Sequence, residues 1–159
     1  MKRKTLNWFI SLMAIGFLFA FQACKKDNNN STTTADVVYN IAATMNGSQE
    51  VPANATTGTG TVSGTYNATT NMLTYSVTWS GLTGTATVGH FHSPALAGFN
   101  ASPLIYFNLN SNGNAGTANG SILLTDAQEQ DLLAGKFYAN IHTQANTGGE
   151  IRGQVAATR

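Results

Sequence analysis

The sequence predicts an all-β domain: an antiparallel, Greek-key-like β-sandwich of about eight strands with one short helix near residues 126–134. Three observations carry this expectation. Apolar and polar residues alternate with period two, most clearly in "MLTYSVTWS", where Leu73, Tyr75, Val77 and Trp79 share one face. Clusters of Gly, Asn and Pro punctuate the chain at the short intervals that a set of brief strands requires. Charged residues make up only 9 % of the chain, a composition that suits an extracytoplasmic β-protein better than a charged cytosolic enzyme.

Taken in order, "VVYNIAATM" reads as a first strand, and "NGSQEVPANATTG" as a loop in which Pro52 disfavours a central strand. The Thr- and Gly-rich "GTGTVSGTY" and the strand from Leu73 to Trp79 are joined by "NATTN" and should pair as a hairpin. "TATVGHFHS" is a further strand, ending at the loop "PALAGFNASP". "LIYFNL" is a short apolar strand, "NSNGNAG" a turn, and "TANGSILL" another strand, with Gly120 marking a bulge. One segment breaks the rhythm. In "TDAQEQDLLAGK" Thr125 or Asp126 can cap a helix, with Gln128 or Glu129 three residues on, and Gly135 can close it. Leu132 and Leu133 should then dock on the sheet. "KFYANIHT" and "GEIRGQVAA" supply the last strands, joined by "QANTGG".

The chain begins "MKRKTLNWFISLMAIGFLFAFQAC", a basic start and an apolar run from Trp8 to Phe21. The run is shorter than the ~20 residues a spanning helix needs and has the proportions of a signal peptide, residues 1–23. The sole cysteine, Cys24, follows at once, and "FQAC" resembles the lipobox of bacterial lipoproteins. Cys24 is therefore expected to carry lipid. That would tether residues 24–36, polar and without periodicity, to a membrane, and place residues 37–159 at the cell envelope, outside the cytoplasm.

From Val37 onward Lys136, Arg152 and Arg159 face Glu50, Asp126, Glu129, Asp131 and Glu150, so the domain is mildly acidic. It has no basic patch, and nucleic acid is not expected as a partner. Serines and threonines abound without a nucleophile motif. Asp126, Glu129 and Asp131 read as a solvated helix face, and Glu50 as a loop carboxylate in water. Asn-x-Ser/Thr triplets, for instance at Asn54 and Asn67, read as loop composition.

Three stretches together resemble the CHRD domain, found in chordin and in many bacterial secreted proteins. "GSQEVPANATTGTGT" is similar to the family's opening around "EVPP", with Ala53 at the second Pro. "SGLTGTATVGHFHSPA" is similar to its segment ending "AHIHG", with Gly89 and Ser93 as departures. "LTDAQEQDLLAGKFYANIHTQANTGGEIRGQV" is similar to its long closing segment, with Thr147 in place of a Pro. The resemblance spans about Val37 to Val155. It implies a sandwich-like extracellular module and supplies no enzymatic activity, so a lipid-anchored, non-enzymatic module that binds an extracytoplasmic protein or glycan is the first expectation.

The alternative is a zinc- or copper-binding protein. Strand alternation puts His90 and His92 on one face, about 6.6–7 Å apart at Cα, so both rings can reach one ion. His142, which shares a face with Tyr138 and Asn140, is a third candidate, and the final hairpin should bring it near Glu150 or Arg152. A cluster of His90, His92, His142 and Glu150 would suit zinc or copper. Two other readings stand beside it. Val88 and Ala86 share the histidine face, so that face can point inward, with buried imidazoles, Glu150 and Arg152 forming a structural network; or the histidines are simply exposed.

Overall fold

A computed structural model describes residues 35–159. The expected signal peptide, Cys24 and most of the tether lie outside the described residues. The described chain forms ten strands and one α-helix. In order these are β1 (Val38–Asn46), β2 (Thr59–Asn67), β3 (Met72–Ser80), β4 (Ala86–His92), β5 (Pro103–Tyr106), β6 (Leu109–Asn112), β7 (Ala115–Leu123), α1 (Asp126–Leu133), β8 (Tyr138–Thr143), β9 (Ile151–Gln154) and β10 (Ala156–Thr158). A single 3-10 turn, Gly47–Gln49, follows β1.

The architecture is all-β and antiparallel, as expected. The strands form one continuous sheet, ordered β5-β4-β8-β9-β1-β2-β3-β7-β6, with β10 added on β1. This sheet curls so that distant strands face each other across a common core, as the layers of a sandwich do. Tyr75 on β3 meets the ring of Phe91 on β4 at 5.0 Å between centroids, and meets Phe107 at 5.5 Å. The core gathers Val62, Tyr66, Leu73, Val77 and Trp79 from one half and Phe91, Phe137, Ala139, Ile141 and Ile151 from the other. Two such faces can exclude water only if apolar side chains recur at every second position, and the alternation in β1, β2 and β3 meets that demand.

Several local expectations change. "LIYFNL" is two strands: β5 pairs with β4, the buried Phe107 donates its N–H to the Gly89 carbonyl at 2.8 Å, and β6 then pairs with β7 on the far side of the sheet. Gly120 makes no bulge; it lies in unbroken register opposite Tyr75, whose ring fills the space where a side chain would stand. The helix is capped by Thr125, with a reciprocal Thr125–Gln128 capping box, and Gly135 at φ +68° ends it. Leu132 is buried beneath it, whereas Leu133 points outward. The closing "GEIRGQVAA" is likewise two short strands, β9 and β10, divided at the buried Val155.

Candidate metal centre

The site begins with an irregularity in β4. Ala86 stands opposite Thr143 and Val88 opposite His142, so Thr87 is an extra residue on this strand. The bulge reverses the alternation. Ala86 joins the core, and beyond it Phe91 turns inward, 1 % exposed, while His90 and His92 turn to the other face. The expectation that Ala86 shares the histidine face therefore fails, and the histidines lie on the outside of the sheet, not in the hydrophobic core.

They are nonetheless covered. His90, His92 and His142 are 5 %, 6 % and 8 % exposed. The Tyr106 ring lies edge-on to His90 at 4.7 Å, and the loop of residues 93–102 meets His92 through the Ala101 carbonyl and is tied down by polar contacts. Arg152 donates to the Phe99 carbonyl at 2.7 Å and to Asn100 Oδ1 at 3.0 Å, Asn100 donates to the Val51 carbonyl, and Gln154 donates to the Ala95 carbonyl. The register of β4, β8 and β9 sets His90 beside Asn140 and Asn140 beside Arg152, with Tyr138 next to His92. His92 stacks on Tyr138 with centroids 4.4 Å apart and planes 5° apart, and the Arg152 guanidinium lies 3.5 Å above the Tyr138 ring.

Three ring nitrogens converge: one from each of His90, His92 and His142, all within 4.8 Å of one another. At their meeting point is Asn140 Oδ1, 3.2 Å from His90 Nδ1, 2.9 Å from His92 Nε2 and 3.0 Å from His142 Nε2. His90 Nδ1 is also 3.1 Å from His92 Nε2. The opposite ring nitrogens fix the tautomers. His92 Nδ1 lies 2.8 Å from the Ala101 carbonyl and His142 Nδ1 2.9 Å from the Thr147 carbonyl. A carbonyl only accepts, so both Nδ1 atoms carry the proton, and in neutral rings both Nε2 atoms are lone pairs.

The rings are held neutral. Burial lowers the His90 pKa to about 4, against a smaller opposing effect of the Asn140 hydrogen bond, and burial likewise lowers those of His92 and His142. Two lone pairs and a carbonyl oxygen thus face one another with His90 Nδ1 as the one group at the centre able to offer a proton. Such a convergence of acceptors could hold a metal ion. Outward Nδ1–H groups anchored on backbone carbonyls are the usual way ligating imidazoles are oriented.

Glu150 and Arg152 do not join this set. The Glu150 side chain, fully buried, is on the other side of the hairpin, accepting from Thr56 Oγ1, Thr83 Oγ1, the Thr83 amide and Thr143 Oγ1. Burial alone would raise its pKa, but these four donors outweigh burial and take it down to about 2. Arg152 stands behind the site, over the Tyr138 ring and bonded to the loop at Phe99 and Asn100. Glu50, expected in water, is 6 % exposed, packed against the Gly149 backbone, where φ is +127° and a Cβ would stand 2.4 Å from Oε1. Burial raises its carboxyl to about 7 despite the opposing charge of Arg152. Asn140, Tyr138 and the Ala101 carbonyl escaped sequence reasoning as site groups. Asn140 and Tyr138 left a signal, since period two put both on the face of His142; the carbonyl, in an irregular loop, left none.

A curled antiparallel β-module with a buried three-histidine cluster on its outer face is the class these features define. The family model of the CHRD domain matches residues 41–155, and the chain belongs to that family. No curated protein and no solved structure matches it.

Proposed function

We propose that this CHRD domain binds a transition-metal ion, zinc or copper, through His90, His92 and His142. The observation that carries it is the hydrogen-bond count at the centre: two Nε2 lone pairs, fixed by the Ala101 and Thr147 carbonyls, meet Asn140 Oδ1 with too few protons to join them. A cation satisfies all of them at once. Without an ion, a half-turn of the Asn140 amide would put its two N–H donors on the two Nε2 atoms, and the same residues would hold β4 to β8 as a polar network. Incubation of the full-length protein, in mild detergent, with zinc or copper, followed by desalting and elemental analysis, should give one ion per chain. The His90→Ala/His92→Ala double variant should retain none. Equal retention by the variant, or none by the parent, would refute the proposal.

The sequence before the domain supports an envelope setting, with lipid on Cys24 as the anchor. Radiolabelled fatty acid should enter the parent protein and not a Cys24→Ser variant. A second role, docking of an extracytoplasmic protein, draws support from Leu96 and Phe99. These are 56 % and 67 % exposed on the loop whose Ala101 carbonyl meets His92. A photo-crosslinker at position 99 should then give a discrete adduct in cells.

A further inference from the structure

Granted that the three histidines hold an ion, we propose that Asn140 is its fourth ligand, through Oδ1, and that the centre is a closed tetrahedral one of the zinc type. The distances decide between geometries. In a square-planar set every donor has a partner across the metal, about 4.0–4.2 Å away for bonds of roughly 2.0–2.1 Å. Asn140 Oδ1 has no such partner among the three nitrogens: they stand 3.2, 2.9 and 3.0 Å from it. In a tetrahedron all donors are mutual neighbours, about 3.3–3.4 Å apart at the same bond lengths. Oδ1 is therefore a neighbour of all three nitrogens, as a tetrahedral vertex is, and the 3.1 Å between His90 Nδ1 and His92 Nε2 fits a tetrahedral edge.

The chemistry agrees. An amide oxygen is a hard donor that zinc(II) accepts among imidazoles, whereas cuprous copper favours soft sulfur donors and cupric copper a tetragonal array. Asn140 is 3 % exposed and is held at mid-strand between His90 on β4 and Arg152 on β9, so its place at that vertex is built into the sheet. A protein atom at the fourth vertex leaves no position for a bound water, which is the arrangement of metal sites that hold rather than hydrolyse.

Cobalt(II), a spectroscopic stand-in for zinc, tests this in the full-length protein. The parent should bind one cobalt with intense tetrahedral visible bands that azide does not shift, because no vertex is open. Asn140→Ala should still bind through three histidines, roughly 10–100-fold more weakly, with bands that azide now shifts. Asn140→Asp, nearly isosteric, should bind more tightly, move the bands and remain insensitive to azide; it decides the matter if the alanine variant does not fold. Parent bands that respond to azide would overturn the assignment of Asn140 while leaving the three-histidine site standing. Asparagine variants whose affinity and spectrum match the parent's would do the same. A parent that binds neither cobalt nor zinc would overturn both.

Discussion

Glu150 and Glu50 are both buried carboxyl groups near the last hairpin, yet they respond to pH in opposite senses. Glu150 has four donors and a pKa of about 2, below its ordinary value of 4.5. Its stabilisation is present above pH 4.5 and is lost as the pH falls toward 2. Glu50 has a pKa of about 7, so the folded chain holds its proton longer than the unfolded one. Its contribution is complete below pH 4.5 and disappears as the pH rises through 7. Chemical denaturation from pH 4 to 8 should separate them. Glu150→Gln should cost about 2–3 kcal/mol at pH 7, the scale of hydrogen bonds to a charged group. Glu50→Gln, a mimic of the protonated acid, should be more stable relative to the parent at pH 8 than at pH 5, by on the order of 2–3 kcal/mol. A flat difference across that range would mean that Glu50 ionises normally.

At the scale of elements, strands with clean alternation were legible and strands that bend were not. β3 lies where Leu73, Tyr75, Val77 and Trp79 placed it, and all four are buried. The helix was legible from its cap chemistry, though whether Thr125 or Asp126 caps it depends on backbone angles that a sequence does not display. Thr125→Ala should cost about 1 kcal/mol in thermal or urea unfolding and leave metal retention unchanged. The bulge at Thr87 was illegible: an extra residue in a strand has no composition of its own and appears only when the partner strand is known. That one residue decides which face the histidines occupy. "LIYFNL" misled for a related reason. Its apolar run suggested one buried strand, but Phe107 is buried at a crossing between two ladders.

For the whole molecule, period two and turn spacing announced an all-β antiparallel domain, and the histidine trio was legible as a set of candidates. The single curled sheet was not legible, because strand order depends on pairings between residues far apart in the chain. Neither was the exclusion of Glu150 from the trio, since two positions in one hairpin can point to opposite sides. The candidate ligands join β4 to β8 across about fifty residues of chain, so an ion that binds only the folded form should raise its stability. At a free zinc concentration a hundredfold above the dissociation constant the gain is about 2.7 kcal/mol, or roughly 10 °C in Tm. Differential scanning fluorimetry with and without zinc should show it in the parent and not in His90→Ala/His92→Ala.

The three-residue β10 lies along β1, pairing Asn40 with Thr158, Ile41 with Ala157 and Ala42 with Ala156, while β9 meets β1 at Asn46 and Arg152. The last residues therefore act as a selvedge, finishing a rim whose amide and carbonyl groups would otherwise be free to recruit a strand from another copy. A chain cut after Val155 keeps every candidate ligand and loses that finish. It should self-associate in light scattering while its metal content per chain stays the same.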